Sequence, residues 1–209
     1  MPQITHIIFT FMDKFTLENE LRASGFPLVC GVDEVGRGPL AGPVVCAAVI
    51  MPAHEVIDGI DDSKKLSAKK REKLSTLIRL SAVAFSIFCV QPQKIDEVNI
   101  LQATRLCMKG AVESLSVRPD FVITDGNMTL DIDIPQRSVI GGDASCYSIG
   151  AAYVLAKVYR DALMDKYAEL YPAYGFAHNK GYGTAEHIAA IKEYGLCPIH
   201  RRSFTRKWA

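Results

Sequence analysis

Residues 145–170 read as one long helix, and the first half of it, residues 149–155, is apolar almost all round. A helix without a polar face cannot lie on a surface and must be covered by other structure. The cover available is a set of β-branched runs punctuated by Gly and Pro: residues 28–32, 44–51, 83–90 and 121–124, the last expected to be central, with Val139 and Ile140 as an edge segment. Further helices are predicted from Met12 to Gly25, from the cap Ser67 to about Leu80, from Asn99 to about Leu115, and from the cap Thr184 to Gly195. Strands that cluster first and then alternate with helices imply an α/β domain, a mixed β-sheet flanked by helices. In open sheets of this kind, sites form outside the carboxyl ends of strands.

The 209 residues show no repeat and no Ser/Gly/Pro-rich linker, so a single domain over 1–209 is expected, with a helical segment at about 171–209. With 49% apolar and 22% charged residues, the composition excludes disordered and collagen-like classes. Cys30, Cys46, Cys89, Cys107, Cys146 and Cys197 lack zinc or redox spacing and read as reduced thiols. The longest uncharged stretch, residues 38–54, is interrupted by Pro39, Pro43 and Pro52 and cannot span a bilayer, and no signal peptide is present, so no membrane association and a cytoplasmic location are expected. Residues 1–11 lack helical or strand logic, which makes Met12 the expected native start.

Four carboxylates stand where a solvated face would not put them. Asp33 and Glu34 follow directly on one β-branched run, Asp125 follows directly on another, and Asp143 sits just before the long apolar helix. Taken singly, each has a plain alternative: Asp143 as an acid facing a helix N-terminus, Asp125-Gly126 as a turn pair, Asp33 and Glu34 as an exposed turn. Taken together, carboxylates gathered at neighbouring strand ends repel one another unless a cation lies between them. All-oxygen donors without Cys or His pairs select Mg²⁺ or Mn²⁺ over zinc. Such sites suit phosphodiester hydrolysis.

Gly36, Arg37 and Gly38 follow the first carboxylates at once. Glycines flanking an arginine allow close approach of backbone to a ligand, with amides and a guanidinium facing a phosphate. A dinucleotide fingerprint does not fit, because the next glycine is Gly42, one position late, and Pro39 interrupts the turn.

The run Asp33-Glu34-Val35-Gly36-Arg37-Gly38-Pro39-Leu40-Ala41-Gly42-Pro43 resembles the opening signature of the ribonuclease HII family. The similarity continues in order through Asp62-Ser63-Lys64-Lys65-Leu66-Ser67, Thr124-Asp125-Gly126, Gly142-Asp143 with Ser148-Ile149, Leu155-Ala156-Lys157-Val158 and Arg160-Asp161, Lys180-Gly181-Tyr182-Gly183-Thr184, and His200-Arg201-Arg202-Ser203-Phe204. Val35 replaces the usual Ala, and Gly150 and Tyr153 interrupt the commoner Ala/Ser-rich helix start. The resemblance implies a ribonuclease H-like fold and an endonuclease that cuts the RNA strand of RNA/DNA hybrids. It also implies incision 5′ to single ribonucleotides in duplex DNA, leaving 3′-hydroxyl and 5′-phosphate ends, and so a part in ribonucleotide removal.

By the same resemblance, Asp33, Glu34, Asp125 and Asp143 are the catalytic and metal-binding residues, with Mg²⁺ or Mn²⁺ as cofactor. Gly36, Arg37 and Gly38 read the 2′-hydroxyl and the junction phosphate, Tyr182 stacks on the deoxynucleotide beyond, and Ser63, Lys64 and Lys65 contact phosphates. His187 is expected to be a packing or surface residue and not a ligand, and His200 and Arg201 to order the rim of the site or contact backbone. The expected partners are RNA/DNA hybrid and ribonucleotide-containing DNA. A sliding clamp is not expected, because the extension through which some members bind one does not follow Ala209, and a monomer is. A silent hybrid-binding module would need a carboxylate missing, a transposase or integrase core has no reason to keep Gly36-Arg37-Gly38 with Tyr182, and the ribonuclease HIII family generally has an added N-terminal domain for which the residues before Leu28 leave no room.

A formal charge of only +1 argues at first against a nucleic-acid partner. It is a cancellation. Residues 1–62 carry −6, residues 63–73 carry +5, residues 74–156 carry −2 and residues 157–209 carry +4.

Overall fold

The computed structural model describes residues 14–53, 56–60 and 66–208. The expected start at Met12 and the expected phosphate contacts Ser63, Lys64 and Lys65 lie outside the described residues. Five strands form one mixed sheet: β1 (Val29–Val35), β2 (Val44–Ile50), β3 (Ala84–Val90), β4 (Phe121–Asp125) and β5 (Gln136–Val139), in the order β3-β2-β1-β4-β5. β1 pairs antiparallel with β2 and parallel with β4, so the sheet changes sense at its central strand. β4 is an interior strand, though the centre belongs to β1, and β5 is the edge.

Helices cover both faces, which is why β2 is buried at all seven positions and reads as an unbroken apolar run. On one face Cys30, Val32, Cys46 and Ala48 pack against Ala103, Cys107, Met108 and Ala111 of α3 (Pro92–Glu113). On the other, Val45, Ala47 and Val49 pack against α5 (Tyr147–Leu170), whose Ala151, Ala152, Val154 and Leu155 are the apolar half that demanded cover. There α2 (Ala68–Ser81) adds Leu74 and Ile78, and its cap is as expected, with Ser67 Oγ accepting from the Lys70 amide. A third cluster gathers the end of α5 with α6 (Phe176–Asn179), α7 (Ala185–Tyr194) and the segment leading to α8 (Arg202–Thr205), around Leu40, Met164, Phe176 and Ile191. No helix among the described residues is long and apolar enough to cross a membrane.

Two elements differ from expectation. Asn99 does begin a helical segment, its Oδ1 accepting from the Gln102 amide, but it sits at φ 66° inside α3, and an unforeseen first segment precedes it from Pro92. Proline at the first helical position is favourable because its missing N–H would lack a partner there anyway. The first strand does not stop before the acids either. β1 runs on through Asp33 and Glu34, which pair with Ala47 and Cys46 of β2.

The start of α5 rests directly on β1 at Gly31. A Cβ on Gly31 would meet the Ser148 carbonyl oxygen at 2.6 Å, with the Ser148 carbonyl carbon and Ile149 nitrogen closer still. From the other side Glu18 of α1 (Thr16–Ala23) accepts from the Ser148 amide at 3.0 Å and its hydroxyl at 2.9 Å, capping α5.

Candidate metal and nucleic-acid site

The parallel register sets Val32 opposite Thr124, which carries Asp33, just past the last β1–β4 pair, to the position beside Asp125, the last residue of β4. The third element is α4 (Gly142–Ser145), which brings in Asp143. It is tied to β4 by the Gly142 amide, which donates to Asp125 Oδ1 at 2.7 Å. A Cβ on Gly142 would push against the end of the Ile149 side chain, 2.5 Å away, and reach 3.4 Å from that oxygen. Asp33 is 3% exposed and Asp143 6%.

Burial comes first, then the charges of Glu34, Asp125 and Asp143, in holding the Asp33 carboxyl well above the usual carboxylate range. Glu34 is raised as well, by burial and by Asp125, against the opposing pull of Arg37, whose Nη1 donates to Glu34 Oε1 at 3.3 Å. These are the electrostatics of carboxylates brought together without their counter-charge. Glu34 Oε2 is buried with no hydrogen-bond donor among the described residues. An orphaned buried carboxylate oxygen on Glu34, which interacts with Asp33 and Asp125, fits a hard cation. Among the described residues no three His, Cys, Asp or Glu side chains close into a cage by themselves. Neighbouring strand residues point to opposite faces, and Asp33 Oδ1 accepts from the Glu34 amide at 2.6 Å. An open set of this kind suits an ion that takes few protein carboxylates and completes its shell with water and phosphate oxygens.

Beside the acids lies the loop formed by residues 36–43. Arg37 is exposed, and Tyr182, 48% exposed, leans on Gly38, where an added Cβ would sit 3.6 Å from its ring. The two glycines have different reasons for being glycine. Gly38 keeps open space under Tyr182, whereas Gly36, at φ 94°, is filled from beneath by the Arg160 side chain, with Cδ 2.7 Å from where a Cβ would be. A side chain at Gly36 is thus excluded by Arg160 and by the positive φ, whereas at Gly38 an added Cβ would make only an ordinary contact with Tyr182.

The loop is knitted to two distant segments. Leu40 and Ala41 amides donate to the Gly181 carbonyl, the Gly42 amide to Ile199, and the Arg201 amide to Leu40. Arg160 and Arg201, both fully buried, donate to the loop's carbonyls from below. Arg160 carried a legible signal: it occurs four residues from buried Ala156 and from buried Met164, an arginine on the apolar stripe of α5.

Tyr182 is held through its own backbone by two buried histidines. The Cys197 amide donates to His200 Nδ1, so the His200 proton sits on Nε2 and is donated to His187 Nε2 at 3.0 Å; His187 Nδ1 then donates to the Tyr182 carbonyl at 2.8 Å. His187 packs, as expected, and His200 orders the rim. Burial, then the neighbouring His187, pushes His200 down to about 4, and burial lowers His187. The unfolded chain therefore binds more protons than the folded one as pH falls below about 6.5. The expected outcome is a contribution to stability that is full above that pH and declines toward pH 4, read as urea midpoints at successive pH values. His200→Gln should flatten the decline. Because the raised Asp33 and Glu34 act in the opposite sense as pH falls, the test is the difference between the two proteins, and an unchanged slope in the variant would exclude the neutral pair.

The family model for ribonuclease HII matches residues 30–207. Ribonuclease HII of Caldicellulosiruptor saccharolyticus is 50% identical over 192 residues, which cover 92% of this chain and 94% of that protein. Among solved structures, the ribonuclease H2 from Pyrococcus horikoshii OT3 is similar with a TM-score of 0.75 at 27% identity, over 86% of this chain and 95% of that one. A Bst ribonuclease HIII in complex with Mn²⁺ shares the fold at a TM-score of 0.60 and 16% identity, over 80% of this chain and 63% of that one.

Proposed function

The chain belongs to the ribonuclease HII family, and we propose from that premise that it incises duplex DNA 5′ to embedded ribonucleotides, besides cutting the RNA strand of RNA/DNA hybrids, leaving 3′-hydroxyl and 5′-phosphate ends. It is a ribonuclease H endonuclease that acts on RNA/DNA substrates and depends on a divalent metal; Mg²⁺ or Mn²⁺ is the ion we assign. Asp33, Glu34, Asp125 and Asp143 would hold it. A bound divalent ion lowers the pKa of an attacking water and stabilises the leaving oxygen. The remaining work falls to the chain's own groups.

The observation that carries this reading is the junction of two features: crowded carboxylates on the adjacent strands β1 and β4, with Asp33 raised by its acidic neighbours, and, one residue beyond Val35, a loop whose Arg37 and Gly38 amides have no acceptor among the described residues. Consecutive free amides form a concavity for an anion or a hydroxyl oxygen. At a single ribonucleotide only the 2′-hydroxyl separates RNA from DNA, so donors held close to that oxygen are what discrimination requires. Tyr182, exposed and resting on Gly38, would stack on the deoxynucleotide beyond the junction, a reading its exposure supports. The basic segments 63–73 and 202–207 would supply charge for phosphates, whereas Arg201 is buried beneath the loop.

The test is incubation of the protein with a DNA duplex containing one ribonucleotide, in Mg²⁺, in Mn²⁺ and in EDTA. Cleavage 5′ to the ribonucleotide in either metal and none in EDTA is expected; no cleavage in either metal would refute the assignment. Tyr182→Ala should lower incision at a lone ribonucleotide relative to cleavage of a long hybrid by about tenfold, the loss of one stacking contact. Equal losses on the two substrates would remove Tyr182 from junction reading.

A further inference from the structure

Arg160 and Arg201 are two large cations at 0% exposure, and among the described residues neither forms an ion pair with a carboxylate. Burial of an unpaired charge is disfavoured by several kcal/mol, and a hydrophobic plug of similar volume would serve simple packing better. Their hydrogen bonds all go to backbone carbonyls, and Arg201 also lies over the Phe204 ring, 5.2 Å from its centroid. Arg160 donates from Nε to Pro43 O at 3.1 Å, from Nη2 to Ala41 O at 3.1 Å and from Nη1 to Lys180 O at 2.9 Å. Arg201 donates from Nη2 to Gly36 O at 2.5 Å and Gly42 O at 2.8 Å, from Nη1 to Arg37 O at 2.8 Å and from Nε to Gly42 O at 3.0 Å.

These bonds have a direction. In a planar trans peptide, C=O and the following N–H point opposite ways. Drawing the Gly36 and Arg37 carbonyls down onto Arg201 therefore turns the amides of Arg37 and Gly38 up, and those are the two amides that donate to no acceptor among the described residues. Arg160 occupies the space where Gly36 lacks a Cβ and also takes the carbonyl of Lys180, in the segment that carries Tyr182. A planar fork of five donors can satisfy several divergent carbonyls at once, which an ammonium on a flexible stem cannot. Although burial pushes the Arg201 guanidinium down to about 9, it stays charged at neutral pH. Two such charges under outward amides bias that surface toward an anion.

We propose that Arg160 and Arg201 are positioning residues for ribonucleotide recognition: their guanidinium groups fix which way the peptide planes of residues 36–38 face, and so present the Arg37 and Gly38 amides and Tyr182 to the sugar and phosphate at an RNA-to-DNA junction. This rests on the junction-reading role of the loop given above. The two arginines touch no substrate and act through the loop.

Arg160→Lys, Arg201→Lys and wild type are compared on two substrates, a DNA duplex with one ribonucleotide and a long RNA/DNA hybrid, after thermal melting has shown which proteins are folded. The lysine variants keep the charge and lose the fork. The ratio of lone-ribonucleotide to hybrid kcat/KM should fall about tenfold or more in a folded variant, as for the loss of one or more hydrogen bonds to substrate, mainly through KM on the lone-ribonucleotide duplex. A merely structural support would lower both activities together and leave the ratio within twofold of wild type; that result overturns the proposal. Gly36→Ala reaches the same contact from the other side, because the added methyl displaces the Arg160 guanidinium, and it should shift the ratio likewise. If none of the three variants folds, the arginines are supports of the whole fold and the positioning role is wrong. Wild type that cuts neither substrate refutes the functional reading; wild type that cuts both, with Tyr182→Ala altering the ratio and the arginine variants not, refutes only this inference.

Discussion

Asp125→Asn should lower the single-turnover cleavage rate by about 10² to 10³, the usual cost of losing one preorganised electrostatic group, while binding of the substrate duplex persists. The substitution is close to a pure change of charge. Asp125 Oδ1 accepts from the Gly142 amide, and an asparagine carbonyl oxygen can accept the same bond, so the tie between β4 and α4 survives. What disappears is one of the negative charges that raise Asp33, and with it part of the attraction for a cation. Duplex binding, followed by fluorescence anisotropy, should hold or tighten, since a negative charge facing phosphates is gone. Near-full turnover in Mg²⁺ would take Asp125 out of the metal site, and loss of binding in step with rate would recast it as a structural residue.

The largest effect on folding is expected at Gly31. Its φ is ordinary, so the requirement is for room and not for a left-handed backbone: the methyl of Gly31→Ala would run into the backbone of Ser148 and Ile149. Main chain at a helix start cannot swing aside as a side chain can, and overpacking of this kind costs about 3 kcal/mol or more. Since Gly31 lies two residues before Asp33 and Ser148 five after Asp143, any folded remainder should also have its carboxylates spread and its cleavage reduced. Gly25→Ala is the comparison. Gly25 has φ 95° and no atom within 4 Å of an added Cβ, so only the backbone strain of about 1 kcal/mol should appear. Equal urea midpoints for the two variants would show that α5 does not need close approach to β1.

The carboxylates were legible in the sequence because strand ends announce themselves locally. A β-branched run stops, an acid follows, and the parallel pairing of β1 with β4 that brings two such ends together is a rule of α/β sheets. The caps Ser67, Asn99 and Thr184 were legible for the same reason, each satisfying an amide within three residues. The extension of β1 through Asp33 and Glu34 was not, since it depends on β2 offering Ala47 and Cys46 as partners. Nor was the difference between Gly36 and Gly38, because what fills the first is a guanidinium 124 residues later in the chain. The His187–His200 pair joins side chains that sequence pattern treats singly, and only the fold shows which ring nitrogen faces which.

The bonds from Arg201 to Gly36 and Gly42 span 165 and 159 residues. During synthesis at about 5–20 residues per second, the loop is made early and its carbonyls wait roughly ten seconds or more for the guanidinium that will receive them. The five strands are made by Val139 and α5, which covers one face of the sheet, by Leu170, both ahead of Arg201. A chain that ends before Arg201 therefore lacks every bond by which that guanidinium holds the Gly36, Arg37 and Gly42 carbonyls, so the last few residues to be made complete the support of one of the first loops.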